Sequence, residues 1–150
     1  MGFARRLFVV AVVGLMTGCA MVAPQPGDLT KTRPTDPRSE VKEIQVPRDE
    51  FTRRISQPES MNNIRLVRVY LKSAADGEVP EYKIFNLQTG GPYSLLGLQN
   101  GDVLISAQNF VVRQPFQFVE FVKLMSGEPS PTIQIRRGVV PLELRYKFEG

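Results

Sequence analysis

Apolar periodicity in this chain begins late. From Ala20 to about Val46 sustained apolar periodicity is missing, and Pro24, Pro26, Pro34 and Pro37 punctuate a tract rich in Thr, Asp, Lys and Arg that Pro47 closes. Prolines at this density keep backbone extended and solvated. Residues 19–46 are therefore predicted to be a disordered tether, and its mixed charges, from Lys31 to Glu43, to be ordinary solvation. What remains, residues 47–150, is expected to form one modest domain, since about 100 residues bury a single core.

The residue inventory excludes whole classes of chemistry. The chain of 150 residues has no His, no Trp and one Cys, which removes disulfide frameworks, Cys/His metal clusters and His-dependent nucleophile triads. Lys72 and Ser73 are sequence neighbours at a strand end, so their side chains point to opposite faces and make a poor dyad. No enzyme activity, cofactor or metal site is expected. The formal charge of +4 includes Arg5 and Arg6 of the leader described next, so the remainder is too weakly basic to imply a nucleic-acid partner.

Met1 to Arg6 is a short positive segment, and Leu7 to Met16 is an apolar run broken only by Gly14. That is the layout of a secretory signal. Ten residues rise about 15 Å as a helix, half of a hydrocarbon core of about 30 Å, so a permanent span fits poorly. Leu15-Met16-Thr17-Gly18-Cys19 resembles the lipobox of bacterial lipoproteins, with Met16 where Leu is usual. The resemblance implies cleavage of residues 1–18 and lipidation of Cys19, palmitate included. A single acyl chain gives only marginal binding, whereas several anchor a protein essentially permanently. Ala20, in place of an Asp, implies sorting to the inner leaflet of the outer membrane, with the chain facing the periplasm.

Within the domain, Phe51 and Ile55 predict a short helix over 48–57, halted before Pro58. Ile64 to Lys72 alternate as a half-buried strand, Ala75-Asp76-Gly77 is a turn, and Tyr82 to Leu87 is a second strand. Tyr93 to Leu96 form a helical turn, and Val103-Leu104-Ile105 a buried strand. Gln114 to Met125 is the main helix, its stripe of Phe118, Val119, Phe121, Val122 and Met125 facing the core and Phe116 and Leu124 facing away. Thr132–Arg136 and Val139–Phe148 close the chain as a hairpin turning at Arg137-Gly138. The order predicts an α+β fold, a small curled antiparallel sheet with one main helix. Gly97 and Gly101 fit tight turns where a Cβ would clash, and Asp102 is placed to cap the second by accepting backbone N–H groups.

The run from Tyr82-Lys83-Ile84-Phe85 through Gly91-Pro92-Tyr93-Ser94-Leu95-Leu96-Gly97-Leu98-Gln99-Asn100-Gly101-Asp102-Val103-Leu104, together with Arg136-Arg137-Gly138, resembles the PDZ domain of the type II (general) secretion pathway C protein family. The resemblance spans roughly residues 47–148. One departure is Ala107-Gln108-Asn109-Phe110, which lacks the family's Gly and implies a turn built differently or wider. Another is that the family carries a transmembrane helix and a β-rich homology domain ahead of its PDZ module, whereas this chain carries a lipobox and a proline-rich tract. The resemblance implies a protein-interaction module working by β-augmentation, in which an extended peptide joins a sheet edge beside a helix. The groove is expected to lie between an edge strand contributing Tyr82, Lys83, Ile84 and Phe85 and a helix wall contributing Phe118 and Val122, with amides of Val79 to Ile84 cradling a terminal carboxylate. Expected partners are envelope proteins, namely secretin, pilus or secretion components, or exported substrate peptides. The alternative is an adaptor or regulator of an envelope protease in protein quality control.

Overall fold

A computed structural model describes residues 35–69 and 80–150. The leader, Cys19, most of the proline-rich tract, the Ala75-Asp76-Gly77 turn and Val79 lie outside the described residues. The elements are β1 (Glu40–Pro47), α1 (Arg48–Ile55), α2 (Pro58–Met61), β2 (Arg65–Val69), β3 (Glu81–Phe85), α3 (Pro92–Leu95), β4 (Val103–Ala107), β5 (Phe110–Val111), α4 (Pro115–Leu124), β6 (Thr132–Arg137) and β7 (Val140–Glu149). The strands form one sheet in the order β1-β7-β6-β4-β3-β2, with β5 pairing off β4. All pairs are antiparallel except β1 with β7. The α+β class expected from the sequence is the class observed.

One boundary is corrected. The tether does not run to residue 46, because Glu40–Pro47 pairs with Leu142–Glu149 in parallel register and Val46 is fully buried. Its partner is a hundred residues away, and only Ile44 and Val46 of the strand reach the core. Local periodicity therefore carries almost no signal of it. Gly97 is shaped to this insertion: at φ +68, a Cβ there would stand 2.8 Å from the Ile44 Cδ1.

The core face of the sheet carries Ile84 of β3, Leu104 of β4, Ile133 and Ile135 of β6, and Leu142, Leu144 and Tyr146 of β7, all buried. Across it lies α4, held at its start by the Gln117 side chain, whose Oε1 accepts the N–H of Arg113 at 2.8 Å and of Gln114 at 3.1 Å. Phe118, Val122 and Met125 are fully buried, while Phe116 and Leu124 are 60% and 68% exposed, the division that the helical arc predicts. α1 covers the far end, packing Phe51 against Phe148 as a tilted ring pair with centres 5.1 Å apart. Its acidic first turn and basic last turn both favour the helix dipole.

The turn from β4 to β5 is tight rather than wide. Ala107 pairs directly with Phe110, and the two residues between them, Gln108 and Asn109, take φ of +50° and +63°. Two consecutive left-handed residues match the strand twist in a two-residue hairpin. Their side chains offset the strain: Gln108 Oε1 accepts the Thr132 N–H at 3.1 Å, and Asn109 Oδ1 accepts from Gln134 Nε2 at 3.3 Å.

Candidate functional site

The strand assigned to the groove is not an edge. β3 pairs along its whole length with β2, from Arg65 opposite Phe85 to Val69 opposite Glu81. Its other side pairs with β4 through Tyr82 opposite Leu104 and Lys83 opposite Val103, extended by Ile84 N–H to Asp102 O and Gly101 N–H to Ile84 O, both 2.8 Å. The outer end of the sheet on this side is β2, and among the described residues no strand pairs with its outer side.

The six residues expected to line a groove consequently divide between the two faces of the sheet. Tyr82 and Ile84 are buried on the core face with Phe118 and Val122 of the helix, so all four belong to the core. Lys83 and Phe85 stand on the opposite face, the ammonium 5.6 Å from the ring centre in a cation–π contact. Side chains alternate faces along a strand, so a contiguous run could never present all its residues to one groove. β2 carries Arg65 and Arg68 and β3 carries Glu81 and Lys83, two charged residues in five for each, so composition does not separate the edge strand from the interior one.

The edge that is present meets the helix through β3. Tyr82, which lies beside Arg68 in the register, donates its hydroxyl to the carbonyl of Arg113 just ahead of α4. Leu66, beside Ile84, packs against the same buried cluster as Phe118 and Val122. Leu66 and Arg68 of β2 therefore share the face that α4 covers, while Val67, opposite Lys83, is 37% exposed on the other face of the edge strand.

The turn ahead of β4 is built as a fixed support. Gly97 and Gly101 have φ of +68° and +94°. Asp102 is 1% exposed, and its Oδ2 accepts the Gln99 N–H at 2.9 Å, the cap expected from the sequence. Missed from the sequence was its second partner: Arg137 donates from Nε to Oδ1 and from Nη2 to Oδ2, both at 2.8 Å, and from Nη2 to the Gly97 carbonyl at 2.9 Å. The bidentate bond holds the guanidinium in its charged form and raises its pKa. The neighbouring Arg136 does the same work on the other face of β6, donating to the buried Glu81 at 2.7 Å. Asn100 completes the turn with a two-way bond to the Leu87 backbone, accepting its N–H at 2.8 Å and donating to its carbonyl at 3.2 Å.

Among the described residues no group of three His, Cys, Asp or Glu side chains is placed to hold a metal ion. A polar cavity of about 170 Å³, lined in part by Asp36, Ser39, Gln134 and Arg136, opens beside β6, where Arg136 is already committed to Glu81. No helix among the described residues is long and apolar enough to cross a membrane.

No family model matches the sequence, and no curated protein matches it. Among solved structures the chain is similar to the PDZ domain of EpsC from Vibrio cholerae in two lengths. The shorter shares 17% identity at a TM-score of 0.38, covering 59% of this chain and 97% of that chain. The longer shares 17% at a TM-score of 0.40, covering 67% of this chain and 90% of that chain. Both are PDZ domains, as is the domain that the sequence resembles.

Proposed function

We propose that this chain is a lipid-anchored periplasmic interaction module, an accessory or structural component of a type II secretion or pilus-type envelope machine. It takes up an extended segment of an envelope partner on the outer side of β2. The observation that carries the reading is the end position of β2: among the described residues it is paired on one side only, with Leu66 packed against the core cluster that holds Phe118 and Val122 of α4. An added strand finds main-chain partners there, and side chains of the helix margin supply selectivity. Catalysis has no part in this reading, and neither does a cofactor. The anchor rests on the leader and on Cys19, which put the domain on the periplasmic side of a membrane.

The test is site-specific photo-crosslinking in intact envelopes. A photoreactive phenylalanine analogue at Val67 is expected to yield adducts with a secretin, pilus or secretion component, while the same group at Val139, 90% exposed in the far hairpin, yields none. Adducts with an envelope protease would transfer the module to quality control. Adducts at Val139 alone would overturn the placement on β2. Separately, Cys19→Ala is expected to release the chain from the membrane fraction.

A further inference from the structure

The opposite end of the sheet is a second edge, and it is self-complementary. β1 pairs with β7 on one side, and among the described residues no strand pairs with its other side. Its first half, Glu40 to Glu43, is exposed, including Val41 at 48%. Unpaired N–H and C=O groups along such a strand are a template for another strand.

Consider a second copy of the chain added antiparallel so that the two sheets continue with their core faces on the same side. Residues directly opposite must then share a face, which leaves few registers. Centring on Glu40 sets Glu40 against itself; centring on Lys42 sets Lys42 against itself; centring on Glu43 does so for Glu43. Centring on Ile44 places Val41 opposite Pro47, which has no N–H to give. Centring on Val41 does something different. It sets Val41 against Val41, each Glu40 against the other copy's Lys42, and each Ser39 against the other's Glu43. The apolar residue meets its like on the two-fold axis, and opposite charges flank it twice.

We propose that β1 is a self-association edge, through which two copies of this chain pair antiparallel over residues 39–43 about a two-fold axis at Val41. The backbone turn closed by Ser39 N–H to Asp36 O at 2.8 Å ends the usable strand there. The contact is therefore short, and the dimer it forms is weak and sensitive to salt. The inference does not depend on the reading of β2, which lies at the other margin.

The test uses the full chain in detergent micelles, with the wild type, whose only cysteine is Cys19, as background. Val41→Cys is expected to form a disulfide-linked dimer on mild oxidation, since opposed residues fall within the Cα separation that a disulfide spans. Glu43→Cys, displaced by four residues from its own copy, is not. By sedimentation equilibrium, Glu40→Lys or Lys42→Glu alone is expected to weaken the dimer about tenfold, because each converts two attractive cross-strand pairs into repulsive ones. The double variant Glu40→Lys with Lys42→Glu restores both pairs and is expected to return to within about threefold of wild type. A wild type that stays monomeric throughout, equal cross-linking at residues 41 and 43, or a charge swap that fails to restore association would each overturn the proposal.

Discussion

Replacing Asp102 by Ala removes the acceptor for the Gln99 N–H and strands a guanidinium. Gln99 loses its 2.9 Å bond, and Arg137 loses both 2.8 Å bonds while keeping the one to the Gly97 carbonyl. Deleting one partner of a fully buried pair costs about 3–5 kcal/mol. Arg137 is 28% exposed at its side chain, so water recovers part of its solvation and the expected loss falls to about 2–4 kcal/mol. That is a large share of a total of about 5–15 kcal/mol. Asp102→Asn keeps an oxygen for the Gln99 N–H and loses only the charge, so it should be milder by about 1 kcal/mol. With no Trp in the chain, urea unfolding is followed by tyrosine fluorescence and circular dichroism. At a slope of about 1–3 kcal/mol per molar, Asp102→Ala should lower the midpoint by roughly 1–2 M. A midpoint within about 0.3 M of wild type would refute the claim that the Asp102–Arg137 pair holds this turn.

Three further outcomes are expected. Val122→Arg should abolish the cooperative melt, because Val122 is fully buried and an unpaired charge there costs several kcal/mol; a folded variant would place this residue outside the core. Gly97→Ala should cost about 1–2 kcal/mol from its left-handed backbone, and a smaller cost in an Ile44→Val background would show that contact with β1 contributes. Stability should fall as pH rises above about 10, because burial holds the Tyr93 and Tyr146 hydroxyls well above their ordinary pKa and only the unfolded chain releases those protons there. The slope reaches about 1.4 kcal/mol per pH unit for each tyrosine, and Tyr146→Phe should flatten it by that amount while losing the bond to the Leu96 carbonyl at neutral pH.

The elements that local pattern specifies were legible. α4 shows why: its apolar residues recur at helical spacing over three turns, so Phe118 and Val122 are placed inside and Phe116 and Leu124 outside before any tertiary contact is known. The β6–β7 hairpin is legible for the same reason, since alternation along Leu142, Leu144 and Tyr146 survives burial of one face only. β1 was not, because its reason for being a strand lies in β7. Glu40, Lys42 and Glu43 look like solvated tether, and two inward-facing residues, half-buried Ile44 at its middle and buried Val46 near its end, are too few to set a period. For the β4–β5 turn the missing Gly showed that the construction differs but not how, because left-handed Gln and Asn cannot be inferred from it; the side-chain bonds that hold them there come from β6.

The candidate site was half legible, and the missing half is topological. Asp102 declares itself as a turn cap from its neighbours in sequence, yet its stronger partner is Arg137, thirty-five residues on, and nothing in Arg136-Arg137-Gly138 says which arginine turns to which carboxylate. Edge status is further still from local sequence, because a strand becomes interior only when some other strand takes its second side. β2 and β3 each alternate well enough to serve either role. What decides between them is the bond from Ile84 N–H to Asp102 O and its return from Gly101 N–H to Ile84 O, which attach β3 to the capped turn and leave β2 outermost. The same turn that Arg137 fixes therefore determines which strand ends the sheet among the described residues. Loosening it by Asp102→Ala should weaken the β3–β4 join as well as the turn, so amide exchange in β3 should accelerate more than in the β6–β7 pair; uniform acceleration across the sheet would mean that the turn and the edge are set independently.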